Sequence, residues 1–440
     1  MRVAVTAPNT HLLVASGLAL FLALCPTSAD AARVLDRDDI SIDLGGDLKA
    51  FFDLSFPYEH LFMPEGVQPA AALDLRLRFS GRYKDWLSWE VHHSATGRYA
   101  STGGEFFRSS LDSQPSGEGL KLSWSAYEED GFSVSGRLDR ASVAFHAPGF
   151  DVRFGRQPVS FGSGYFFTPL DLLSPYSPQV VDREYKPGVD AVRLDAFVGA
   201  TGRLTGVLAL VDAEDPDGYS VIGSGGFTVG VFDLDFFCGK HYRDLVLGFS
   251  TQGSAGPLGI HGDLALTVPF DGEDTSTTGS PTSVRVVVGA DGRTDRGTTF
   301  MAEFYAQSVG SDDPEGYFRA AAEPRAQRGD YWSLGHLYTA LSFQQELLPV
   351  FSLGAVTIIN LRDPSALIGP SLSWSIASNV DFVAGAFIAV GARPPPVDLL
   401  SLIGPDGMPL PVEEALRQIE TGSEFGLMPH QAYAQLKLYF

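Results

Sequence analysis

The final nine residues, Ala432 to Phe440, alternate in character: Ala432, Ala434, Leu436, Leu438 and Phe440 fall on one side, Gln435 and Lys437 on the other. Period-two alternation marks a strand whose two faces meet different surroundings. The same pattern recurs along the chain. Ile40, Ile42, Leu44, Leu48, Ala50, Phe52, Leu54 and Phe56 share one parity, while Ser41, Asp43, Asp47, Lys49, Asp53 and Ser55 share the other. That run is longer than the usual soluble strand of about five or six residues. Leu73, Leu75, Leu77 and Phe79 alternate with Asp74, Arg76, Arg78 and Ser80, and Leu87, Trp89 and Val91 with Ser88, Glu90 and His92. Further on, Val192, Leu194 and Ala196 alternate with Arg193 and Asp195, and Phe232, Leu234 and Phe236 with Asp233 and Asp235. Such strands fit a soluble sandwich, with the apolar faces as a shared core, or a membrane barrel, with the apolar faces toward lipid.

The connections alternate in length. Gly81 to Asp85, Ala147 to Phe150, Gly199 to Gly202, Gly253 to Pro257, Asp291 to Gly297, Glu346 to Pro349 and Ala377 to Asn379 read as short turns. Ala95 to Gly131, Gly162 to Gly188, Asp212 to Tyr219, Phe270 to Thr282, Gly310 to Asp330 and Ala392 to Leu427 read as long polar loops. Threading them predicts an all-β, antiparallel up-and-down barrel of about 18 strands, with 16 the alternative, short turns facing the periplasm and long loops the exterior. Leu120 to Tyr127 forms either a further strand or a hairpin within its loop. A short helix is expected over 411–420, where Pro411 and two glutamates open the stretch. Residues 32–440 then make one barrel domain.

The amino terminus reads as an export signal. Arg2 precedes an apolar run from Leu12 to Cys25, and Ala29-Asp30-Ala31 offers a cleavage site. That run is about 14 residues, short of the roughly 20 a spanning helix needs. Residues 1–31 are therefore expected to be removed. An exported chain that ends on an aromatic strand resembles Gram-negative outer-membrane β-barrels, whose carboxy-terminal strand is their assembly signal; here that signal is Phe440. The resemblance implies a cell outer-membrane location, contact with lipid and lipopolysaccharide, and recognition by the barrel-assembly machinery. Trimeric and monomeric channels share this patterning, so the oligomeric state stays open.

Gly155-Arg156-Gln157, followed by Gly162, Gly164, Pro169, Asp171 and Pro175, resembles a strand-to-loop segment of alginate-export-like and related porin-like barrels. The resemblance implies a channel. The glycines allow close backbone approach and the prolines stiffen a loop too long for a simple turn. The loop at 162–188 is expected to fold inward and narrow the lumen, with folding over the outer rim the alternative.

Composition narrows the function further. The formal net charge of −22 argues against a nucleic-acid partner, which needs a basic footprint. Export leaves Cys238 as the single cysteine, so no intrachain disulfide can form. Histidines show no metal-ligand spacing, and no metal or cofactor is expected. Arg76, Arg78, Arg140, Arg153 and Arg193 fall on inward parity, as do Asp233, Asp235, Asp263 and Glu303. Two such sets could lay a transverse field across a pore, or each arginine could pair with a neighbour such as Asp74 or Asp195. The expected function is a porin-like, non-enzymatic channel that passes small hydrophilic solutes by diffusion or exports a polymer. Two alternatives stand beside it. His92 and Ser94 faintly resemble the His-x-Ser segment of outer-membrane phospholipases, though inward parity points both away from lipid. A non-conducting structural or adhesive barrel is the other.

Overall fold

The computed structural model describes residues 32–60, 63–101, 119–176, 180, 182–270, 280–395, 408, 410 and 422–440. The expected leader and the expected helix at 411–420 lie outside the described residues. Strands β1 (Ala32–Arg37), β2 (Ile40–Phe56), β3 (Gln68–Tyr83), β4 (Leu87–Ala100), β5 (Ser123–Glu129), β6 (Phe132–Ala147) and β7 (Phe150–Gln157) make the first third. The chain continues through β8 (Val189–Val198), β9 (Gly202–Leu210), β10 (Tyr219–Val229), β11 (Phe232–His241), β12 (Asp244–Ala255) and β13 (Leu258–Pro269). It closes with β14 (Ser283–Arg293), β15 (Thr298–Gln307), β16 (Leu337–Leu348), β17 (Phe351–Asn360), β18 (Ser365–Ala377), β19 (Val380–Val390) and β20 (His430–Tyr439).

Eighteen of these strands form a closed antiparallel ring, each paired with the next and β20 with β2. Closure leaves no exposed sheet edge in the ring, which is how a sheet can satisfy its backbone in lipid. The other two strands are additions. β1 pairs with Ile40–Leu44 of β2, below the stretch that β20 uses. β5 pairs with β6 from Phe132 to Arg137, whereas β7 pairs with β6 from Ala141 to Ala147. The Leu120–Tyr127 segment is thus one arm of a hairpin that fills in where β7 has left the wall. The connections follow the expected alternation, except that 242–243 and 361–364 are short although they lie at the long-loop end.

Parity sorts the side chains. Leu73, Leu75, Leu77 and Phe79 are exposed on the outer face, with aromatic residues Trp86, Phe145, Phe150, Phe197, Phe300 and Trp374 gathered toward the short-turn end. This apolar band with its aromatic border is the surface a bilayer requires. Cys238 is exposed and lies on outward parity, as expected.

The closing seam depends on one glycine. Phe440 N donates to Gly46 O at 3.0 Å and Gly46 N to Phe440 O at 2.7 Å. A Cβ on Gly46 would lie 2.6 Å from the Phe440 ring and 2.6 Å from the Arg76 carbonyl. The terminal ring therefore occupies the space a side chain at position 46 would need.

The hydrophobic core sits inside the barrel. Inward Val189, Ala191, Val207, Ala209, Ile222 and Val246 pack against Val159, Leu170, Leu172 and Leu173 of the connection between β7 and β8. Round the wall, inward Val287, Tyr305, Ile358 and Leu367 pack against Phe166 and Phe167 of the same connection and Phe425 of the last loop. Each fully buried leucine contributes about 1.5–3 kcal/mol. β8 to β13 are thus apolar on both faces, the outer exposed and the inner covered by the loop.

Replacing Gly46 with valine should destabilise the barrel by about 1–3 kcal/mol through overpacking at the seam. Urea unfolding in detergent micelles measures it, and wild-type stability would mean the ring can move aside at no cost.

Candidate functional site

The segment from Gln157 to Val189 leaves the wall at a kink. Gly155 has φ +106°, and a Cβ there would collide with the Ala141 carbonyl. Gln157 Nε2 donates to Ala191 O at 3.0 Å, fixing the inner side of the exit. Arg156 faces the outer side. Its guanidinium grips Asp190 through Nε (3.0 Å) and Nη2 (2.7 Å), and it also donates to Leu138 O (3.0 Å) and Leu120 O (2.5 Å). This two-pronged geometry is the strong form of a charged hydrogen bond, and it pins the start of the β5 arm over β7 and β8.

Once inside, the loop crosses to the far wall. Asp263 on β13 accepts from Ser163 N (2.9 Å), Ser163 Oγ (2.8 Å) and Gly164 N (3.0 Å). Glu303 on β15 accepts from Tyr165 N (2.6 Å), Phe166 N (2.9 Å) and Phe167 N (3.1 Å), with His261 Nε2 at 2.9 Å. Residues 163–167 thus give five successive backbone N–H groups to two wall carboxylates. Gly162 has φ +88°, and a Cβ on it would come within 2.6 Å of Asp263 Oδ2. Asp171, four residues past Phe167, pairs with Lys186 Nζ at 2.5 Å and ties the outgoing limb to the returning one. Pro169 and Pro175 bracket that turn, and Pro175 with Tyr176 lines a cleft beside Trp332.

The returning limb docks on the closing seam. Lys49 of β2 and Lys437 of β20 are direct cross-strand partners. Asp182 lies 2.6 Å from Lys49 Nζ and 3.2 Å from Lys437 Nζ; Glu184 lies 2.9 Å and 3.5 Å from the same two atoms. Like charges opposite each other destabilise a sheet, and these two carboxylates offset that. Burial alone would push both acids up, but Lys49 and Lys437 hold Asp182 and Glu184 below the usual carboxylate range.

The arginines expected to line the lumen lie on β3, β6, β7 and β8. Arg76 pairs with Asp139 at 2.5 Å, and Arg137 lies 3.4 Å from the same acid. Arg153 and Arg140 share Glu90, at 2.9 and 3.9 Å. Arg193 pairs with its neighbour Asp195 at 2.7 Å. Arg78 makes no salt bridge among the described residues and donates to Gly46 O at 3.4 Å. Arg78, His92 and Arg140 are successive cross-strand neighbours. Arg78 Nε, His92 Nδ1 and Arg140 Nε are buried without a hydrogen-bond partner among the described residues. The acids divide differently. Asp233 and Asp235 sit near the short-turn end of β11, hydrogen-bonded by Thr228 (2.7 Å) and 3.7 Å from Arg203 respectively. Asp263 and Glu303 are buried beneath the loop.

Asp74 accepts from Ser94 Oγ (2.7 Å) and Thr96 Oγ1 (2.6 Å). Both His92 and Ser94 face the lumen, and the Ser94 hydroxyl is given to Asp74, with no His92–Ser94 hydrogen bond among the described residues. Sequence reasoning missed Lys49, Lys437, Asp182, Glu184 and Tyr185, whose ring lies over the arginines. The signal for the first two was present: pairing β20 with β2 sets two lysines side by side.

No protein-family model matches the chain, and no curated protein sequence matches it significantly. Solved structures do match. OccAB1 of Acinetobacter baumannii is 10% identical with a TM-score of 0.53, over 94% of this chain and 99% of that one. OpdK of Pseudomonas aeruginosa with vanillate is 10% identical with a TM-score of 0.54, over 91% and 98%; another structure of OpdK describes it as an outer membrane protein. OccK9 (OpdG) of Pseudomonas aeruginosa is 12% identical with a TM-score of 0.53, over 92% and 99%. The fold is that of an outer-membrane, porin-like barrel. At these identities the likeness concerns the fold, and the side chains described above are this chain's own.

Replacing Glu303 with alanine leaves three backbone donors without their acceptor, at about 1–3 kcal/mol for each that stays buried. Proteolysis within 158–188 of the otherwise folded barrel should then accelerate more than tenfold; an unchanged rate would show that apolar packing alone holds the tip. Asp182 and Glu184 are held below their unfolded values, so their contribution is complete above about pH 5 and is lost as pH falls through the folded values. Single-channel recordings should accordingly become noisier on acidification below about pH 4, and Asp182→Asn with Glu184→Gln should show that noise already at neutral pH.

Proposed function

We propose that this protein is an outer-membrane channel through which small hydrophilic anions diffuse, with selectivity set by the arginine wall of β3 to β7 and the cross-section set by the 162–188 loop. The observation that carries the reading is the surplus of guanidinium groups: Asp139 and Glu90 each serve two arginines, and Arg78 makes no salt bridge among the described residues, even with the buried Asp47 opposite Arg76. At about 4 Å and an effective dielectric near 20, one such group attracts a carboxylate by about 4 kcal/mol. Acids beyond about 8–10 Å are screened, so the total charge of −22 does not decide what the arginine wall attracts. The apolar packing of the loop against β8 to β13 leaves the opposite, charged sector for water.

OpdK was crystallised with vanillate, a carboxylate, and a carboxylate is what this wall would favour. The outward apolar belt places the barrel in lipid, and Phe440, paired at the seam, would be the strand end that the assembly machinery reads. Diffusion is the direction-neutral form of this reading. Export of a polymer would need a wider path than a lumen crossed by a loop provides.

Reversing Arg78 and Arg140 to glutamate should move the reversal potential in a salt gradient from the anion side toward the cation side. Planar-bilayer recording of the purified, refolded protein measures it. No conductance at all, or a wild type that prefers cations, would remove the reading.

A further inference from the structure

We infer that Tyr185 is the residue that sets which anions pass, its ring being a resident occupant of the cationic site on which the proposed function rests. Four cations converge on that ring: the Arg76 guanidinium at 4.3 Å from its centroid, Lys49 Nζ at 4.8 Å, and Arg78 and Arg140 at 5.7 and 5.9 Å. His92 meets it edge-on at 6.3 Å. A cation within about 6 Å of a ring centroid is attracted by the negative π face, so the ring does electrostatically part of what an anion would do, without carrying a charge.

The ring is held by its faces. No hydrogen bond of the Tyr185 hydroxyl is found among the described residues, whereas the adjacent Glu184 and the nearby Asp182 are fixed by Lys49 and Lys437. The backbone is thus latched at the seam while the side chain is retained by cation–π contacts and the edge of His92. Arg78 Nε, Arg140 Nε and His92 Nδ1 keep unused hydrogen-bonding capacity beside it. A small anion can meet the partly exposed remainder of the Arg78 and Arg140 guanidinium groups with the ring in place. A bulky one must displace the ring from the guanidinium faces. Tyr185 therefore discriminates by size among solutes of one charge, which inward charges alone cannot do.

The test compares chloride with gluconate in bi-ionic bilayer recordings of the full-length refolded protein. Wild type should prefer chloride, and Tyr185→Ala should reduce that preference by about threefold or more and raise single-channel conductance. Tyr185→Phe, which keeps the ring face, should behave as wild type. Heat-modifiable mobility confirms that each variant is folded; should the alanine variant fail to fold, Tyr185→Leu removes the π face at similar bulk and should show the same loss of preference. An unchanged chloride-to-gluconate ratio in the folded variant lacking the ring would overturn the inference, as would a phenylalanine variant as permissive as alanine. A wild type that prefers potassium to chloride would instead remove the anion-channel reading, while a conductance rise in Tyr185→Ala would still mark the ring as an obstruction.

Discussion

A loop that crosses the inside of a barrel must find partners for backbone groups that neither helix nor sheet will satisfy, and everything in this lumen follows from how that is done. Asp263 and Glu303 take the N–H groups of residues 163–167 in sequence. Buried backbone donors without acceptors are costly, so these two carboxylates turn a crossing that would be unfavourable into a hydrogen-bonded one. Their own charge is answered chiefly by oriented backbone dipoles, with His261 beside Glu303. With the tip fixed, Phe166 and Phe167 are set into one apolar sector and Leu170 to Leu173 into another. The returning limb is then aimed at the seam.

The barrel itself was legible because its solvent changes at every residue. Strands such as Ile40–Phe56 and Leu73–Phe79 separate apolar from charged positions so regularly that span, parity and closure by Ala432–Phe440 could be read without any tertiary information. The interior of β8 to β13 was less so. Val189, Ala191, Val207 and Ala209 are apolar on a face expected to be wet, and two-faced apolarity in short strands does not say what the second layer is. The glycines and prolines of 155–175 indicated an unusual loop, yet nothing local to 163–167 says that its amides would meet Asp263 and Glu303, about a hundred residues and more away. Those two acids were recognised as inward, and their partner came from distance in the chain, where pattern reading has no reach.

Electrostatics divides the molecule more sharply than its total charge suggests. Most acids in the lumen already have an assigned partner: a lysine, a hydroxyl, a backbone amide or an arginine. What remains on the wall of β3 to β7 is a local surplus of guanidinium with Tyr185 laid across it. The partly exposed Arg153–Glu90 pair contributes little to stability, so that part of the wall is free to serve selectivity, whereas the buried Arg76–Asp139 pair and the carboxylates under the loop also serve the fold. The same residue types thus do different work according to whether the loop covers them.

Lys49 belongs to the first strand of the ring and Lys437 to the last, nearly four hundred residues apart, and they become neighbours only when β2 meets β20. Before that moment the twin-lysine seat for Asp182 and Glu184 does not exist. The returning limb of the loop therefore has both lysine partners only in the closed ring. A lumen that acquires its final cross-section only after closure is one in which assembly and the onset of selective passage are a single event.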